Sequence, residues 1–112
     1  MHLEKHHIVY KSQLGLDFEL NYKYLTPVEH RGNNGPHLDW KVDLLYKMEM
    51  QLKLENLLTE DYYTIEELIR LLGLKEKQAY KAFRHTRKYS EGMKTRDIIF
   101  RLMGNAFYEI GD

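Results

Sequence analysis

Cysteine is absent from this chain of 112 residues. That excludes a disulfide framework and any structural zinc held by thiolates, and it fits a reducing compartment. An excess of charge is absent too, since 17 Lys and Arg balance 17 Asp and Glu. A whole-chain electrostatic pull toward nucleic acid or an anionic membrane is therefore excluded. No run of about 18 apolar residues occurs, so no membrane-spanning helix is expected. The opening Met1-His2-Leu3-Glu4-Lys5-His6-His7 is too polar for a secretory signal. Internal repeats and low-complexity tracts are lacking as well. These absences leave one small domain, expected in the cytoplasm.

What is present has two textures. Residues 1–37 hold both prolines and all but one of the six histidines. Residues 38–112 read as helical. In the first part, His6-His7-Ile8-Val9-Tyr10-Lys11 has the β-branched and aromatic content of a strand. Ser12 to Asp17, with Gly15, reads as a loop, and Tyr22-Lys23-Tyr24-Leu25 as a second strand. Thr26 as N-cap and Pro27 as first residue announce a helix. Gly32-Asn33-Asn34-Gly35-Pro36 must end it at once. The expectation is an α+β chain: a small ββα unit over 1–37, then a helical region over 38–112 packed on it.

The helical part is patterned by apolar spacing. Leu38, Val42, Leu45, Met48 and Leu52 recur every three or four residues and predict a helix from about Leu38 to Leu57, with this stripe in the core and Trp40 as a half-buried anchor. Thr64 and Glu67 form a capping box that opens a helix carrying Ile65, Leu68, Ile69 and Leu72. Gly73 turns the chain, and a further helix is predicted over Lys75–Arg87 with Ala79, Ala82 and Phe83 inward. A last helix follows Thr95, with Ile98, Ile99, Leu102 and Met103, and stops near Gly104. Thr64 to Arg87 thus looks like a helix-turn-helix pair, a generic arrangement. Neutrality hides an asymmetry here. From Lys75 to Arg101 there are nine basic residues against three acidic ones. Lys77, Lys81, Arg84, Arg87 and Lys88 are candidate phosphate contacts, salt-sensitive and blind to base sequence.

The chemistry concentrates in His6, His7, Asn21, His30, Asn34 and His37. Asn21 follows His7 by fourteen positions and His30 follows Asn21 by nine. His6-His7-Ile8-Val9, Asn21 and His30 at these intervals resemble the His-Asn-His (HNH) nucleases and their ββα-metal motif, over about residues 5–40. The resemblance implies one divalent metal ion (Mg, Mn, Ni or Zn) held by His6, His30 and a third ligand, either Asn34 or His37. A helix running on past His30 would favour Asn34, four residues along the same face. A loop reversing at Gly35-Pro36 would favour His37. His7 would be the general base, its near-neutral pKa suited to taking a proton from water. Asn21 would bond backbone near His7 and orient its ring. Lys11 or Arg31 would touch a phosphate.

The implied activity is DNA phosphodiester hydrolysis. One motif cuts one strand, so a double-strand break needs a homodimer or two visits. The chain departs from family members that brace the motif with Cys-x-x-Cys pairs. Thr26-Pro27-Val28-Glu29-His30 stands where one pair would fall, and Leu14-Gly15 replaces a frequent Gly-Gly. The helices after Leu38 must supply the brace. Small cysteine-free members with DNA-binding appendages suggest a phage or mobile element acting in a bacterial host. The rival reading is a non-catalytic protein on the same scaffold, a DNA-binding regulator or an inhibitor of a host (CRISPR-type) nuclease.

Overall fold

A computed structural model describes residues 2–109 of the chain. Two short strands, β1 (Glu4–His7) and β2 (Tyr22–Leu25), pair antiparallel, with Glu4 opposite Leu25 and His7 opposite Tyr22. The helix α1 (Pro27–Arg31) follows, capped by Thr26, whose hydroxyl accepts from Glu29 N while Glu29 accepts from Thr26 N. The long helix α2 (Trp40–Leu57) begins at Asp39, whose carboxylate accepts from Lys41 N. After it come β3 (Tyr62–Tyr63), α3 (Ile65–Leu72), α4 (Glu76–Ala82), β4 (Met93–Lys94) and α5 (Thr95–Leu102). The fold is α+β, as expected, with a ββα unit leading a mainly helical region. No helix of the described residues is long and apolar enough to cross a membrane.

One buried cluster joins the two parts. Ile8, Val9, Leu16 and Phe18 from the strand connection meet Met50, Leu54 and Leu58 of α2 and its end. Leu68, Ala79, Phe83, Ile98 and Leu102 complete the same cluster. The faces read for α3, α4 and α5 are the faces buried, and Gly73 (φ 67°) ends α3 in the left-handed conformation that suits glycine.

Four expectations change. The first strand is Glu4–His7, not His6–Lys11: beyond one further bond from Ile8 N to Asn21 O, the side chains of Ile8 and Val9 enter the core and the chain coils tightly at Lys11–Gln13. Gly15 permits this, since a Cβ there would lie 1.9 Å from Val9 O. Helix α4 ends at Ala82 rather than Arg87; Lys88 Nζ donates to Phe83 O and Thr86 O just past that end. The β3–β4 ladder was not expected, being two residues on each side.

The fourth change is the rotation of α2. The predicted stripe faces outward, with Leu45 61% exposed, and Trp40 is 69% exposed rather than half-buried. The inward face carries Met50 and Leu54 together with Lys47 and Gln51. Lys47 Nζ bonds Asp43 Oδ2 at 2.6 Å and lies over the Tyr10 ring. Gln51 exchanges two hydrogen bonds with the backbone of Tyr108, at 3.0 and 2.8 Å. Apolar residues occupy both sides of α2, so spacing alone could not say which side is inward.

This rotation fixes an asymmetry in cost. Leu54→Ala should destabilise by about 2–5 kcal/mol, and Leu45→Ala by less than about 0.5 kcal/mol, read by urea denaturation. Equal costs would return the outer stripe to the core.

Candidate metal centre

Strand β1 delivers two histidines with different surroundings. His6 is 1% exposed, while His7 beside it is half-buried. The connection to β2 is held by Asn21, which is fully buried. Its Oδ1 accepts from Val9 N at 2.7 Å, and its Nδ2 donates to Val9 O at 3.0 Å and Leu16 O at 2.7 Å. Asn21 therefore bonds backbone two residues beyond His7 and does not touch the ring. The ring's partner is Asp17, with His7 Nε2 2.8 Å from Asp17 Oδ1.

Helix α1 and the turn after it bring two more imidazoles. His30 lies in the last turn of α1. The chain then reverses, with Gly35 N donating to Gly32 O and Asp39 N to Gly35 O. The reversal needs glycine for space, since a Cβ on Gly35 would lie 2.6 Å from Glu29 O and 2.7 Å from His30 O. The turn carries His37 back over His30. Asn34, outside any helix, is exposed and lines a different depression with Val28, Val42 and Tyr46.

His6, His30 and His37 each offer a ring nitrogen, and these atoms all lie within 4.8 Å of one another. His6 Nε2 is buried and has no hydrogen-bond partner. A buried polar atom left unpaired costs about 1–3 kcal/mol, so this nitrogen is poised for a ligand. Burial, then the neighbouring His37 and His30, push the His6 pKa down to about 4, which keeps the ring neutral and able to coordinate. His30 Nδ1 donates to the carboxylate of Glu4, 2.9 Å from Oε1, and His30 Nε2 lies 2.9 Å from His37 Nε2. A carboxylate behind an imidazole fixes its tautomer and raises its basicity as a ligand. Arg31 holds the same carboxylate through Nε at 3.0 Å and a terminal nitrogen at 2.9 Å. The His30 bond, with Arg31 adding to it, holds the Glu4 carboxyl below its ordinary range. The donor set fits a borderline divalent metal: three imidazoles with one side open to solvent.

The surroundings complete a depression of about 250 Å³. Lys5 and Lys11 line it with the four histidines and Tyr10. The Tyr10 ring lies 5.4 Å from that of His37, and its hydroxyl donates to Asp43 at 2.9 Å. Burial first, and that bond next, raise the Tyr10 pKa. Among the basic candidates, Lys11 lines the depression, whereas Arg31 is engaged by Glu4. Lys77 and Lys81 are exposed on α4, and Arg84, Arg87 and Lys88 fall beyond its end. His2 and His85 stand outside the cluster.

Several site residues escaped the sequence reading. Glu4 had a weak signal, two positions before His6 on a strand and so on the same side. Lys5, Asp17, Asp43 and Gln78 had none, because nothing in their local spacing marks them. Comparisons of the chain with protein-family models, with curated proteins and with solved structures find no match.

Metal binding separates the two candidate third ligands. His37→Ala and His30→Ala should each weaken zinc or nickel affinity at least about 10-fold, read by calorimetry, while Asn34→Ala leaves it unchanged. The reverse pattern would put Asn34 in the site. Gly35→Ala should also weaken affinity, because the turn must move off the α1 carbonyls; unchanged binding would show the turn to be irrelevant to His37.

Proposed function

We propose that the chain is a divalent-metal-dependent nuclease of the HNH kind that hydrolyses DNA phosphodiester bonds. The observation that carries this reading is the orphaned Nε2 of His6, buried against two further imidazoles and beside His7 in one depression. A histidine buried for packing alone would find a partner for that nitrogen.

In this reading His6, His30 and His37 hold the cation, which when bound offsets the charge that builds on the phosphate and the leaving oxygen. His7 takes a proton from water as the water oxygen attacks phosphorus. The bond from phosphorus to the 3′ oxygen breaks, and that oxygen takes a proton from solvent. The products are a 5′-phosphate and a 3′-hydroxyl. Lys5 and Lys11, on the walls of the depression, meet the phosphates flanking the cut. Lys75 lies near the site, its Nζ 4.0 Å from Asp17 Oδ2, and Lys77 and Lys81 are exposed on the same helical segment. Such contacts bind backbone and not base sequence.

The test is nicking of supercoiled plasmid with magnesium, manganese, nickel or zinc. The wild type should nick in a metal-dependent way, and His7→Ala should lose about 10²-fold or more while keeping its metal affinity. Equal cutting by both proteins, or none under any metal, would overturn the reading and leave a nucleic-acid-binding protein without catalysis.

A further inference from the structure

Among the contacts between the two parts of the chain, one is made at a carboxylate beside His7. Asp17 Oδ1 lies 2.8 Å from His7 Nε2. A carboxylate can only accept, so Nε2 carries the proton and Nδ1 keeps the lone pair. The hydrogen bond made by one ring nitrogen decides which nitrogen remains basic. Asp17 sits in the connection between β1 and β2, and a loop side chain alone is a poor anchor. It is held from outside the motif. Gln78, on α4, accepts from Asp17 N through Oε1 at 2.9 Å and donates from Nε2 to Asp17 Oδ2 at 3.2 Å. This reciprocal clamp needs one side chain that both donates and accepts. Glutamate would set an acceptor against an acceptor, and leucine would offer neither. The clamp joins positions separated by 61 residues. The His7 bond most of all, with Gln78, Lys11 and Lys75 adding to it, keeps the Asp17 carboxyl below its ordinary range, hence an acceptor at neutral pH.

We infer that Asp17 and Gln78 are positioning residues for His7: Gln78 fixes the carboxylate, the carboxylate fixes the imidazole, and helix α4 is thereby built into the active depression. The Cys-x-x-Cys brace that the chain lacks is replaced at this point by an amide from the helical region. The effect on cutting rests on the nuclease reading above; the effect on the His7 ring does not.

The experiment uses the full chain with Asp17→Ala, Gln78→Leu and the double variant. In the metal-free protein, ¹⁵N shifts of the ring nitrogens should report His7 protonated at Nε2 in the wild type and a tautomer mixture in both single variants. Single-turnover cleavage of a short duplex should slow about 10–100-fold in each, with zinc affinity and duplex affinity unchanged. The double variant should be no slower than Asp17→Ala, because the two side chains act in series. An unchanged His7 tautomer in the folded variants, or wild-type cutting by Gln78→Leu, would overturn the inference. If Asp17→Ala does not fold, Gln78→Leu decides alone, since it leaves the loop sequence intact. If the wild type cuts nothing, the nuclease reading fails and the nitrogen shifts still decide the clamp.

Discussion

The buried amide of Asn21 holds the site's geometry in place. It satisfies two backbone groups of Val9 and one of Leu16 where water does not reach. Each such bond is worth only about 1 kcal/mol net, but an unmet partner costs about 1–3 kcal/mol. Tying Val9 to Leu16 also brings their neighbours into register. His7 lies two residues before Val9, and Asp17 one residue after Leu16. The facing of the imidazole and the carboxylate at 2.8 Å follows from a bond that neither side chain makes.

What the sequence disclosed about the site tracks how local each relation is. The spacing of His6, His7, Asn21 and His30 was readable because it lies within one short stretch of chain, from β1 to α1. The third imidazole was not settled, because it depends on how tightly Gly35 packs against the carbonyls of Glu29 and His30. Composition shows that a glycine is there; only the fold shows what it touches. The Asp17–Gln78 clamp was invisible, since no periodicity links a loop carboxylate to a helix far along the chain. For the fold, the helices from Thr64 onward were legible because each has one apolar face and a recognisable start or stop. Helix α2 was legible in extent, yet its apolar residues lie on two sides and gave the wrong one.

Zero net charge is a sum and not a surface. The acids near the site are turned inward: Glu4 to His30 and Arg31, Asp17 to His7 and Gln78, Asp43 to Tyr10 and Lys47. The cations lining the depression, Lys5 and Lys11, are exposed, Lys5 with its Nζ 4.3 Å from the centre of the Tyr22 ring. Short-range pairing thus sorts the charges, so that a chain of zero net charge carries two lysines at the rim of the histidine depression.

Helix α2 buries a lysine and a glutamine while leaving two leucines seven residues apart, Leu45 and Leu52, in water. With Met50 and Leu54 on one side and Leu45 and Leu52 on the other, hydrophobic burial alone leaves the choice of face open. Its orientation is chosen by polar recognition: Asp43 answers Lys47 and Tyr10, and the Tyr108 backbone answers Gln51. The helix behaves like a key with teeth on both edges, cut to fit one lock through its polar teeth. The apolar edge is the cost of that choice, a greasy seam on the outside of the protein. Because Asp43 also receives the Tyr10 hydroxyl, and Tyr10 walls the histidine cluster, the rotational setting of α2 is transmitted to the shape of that cluster.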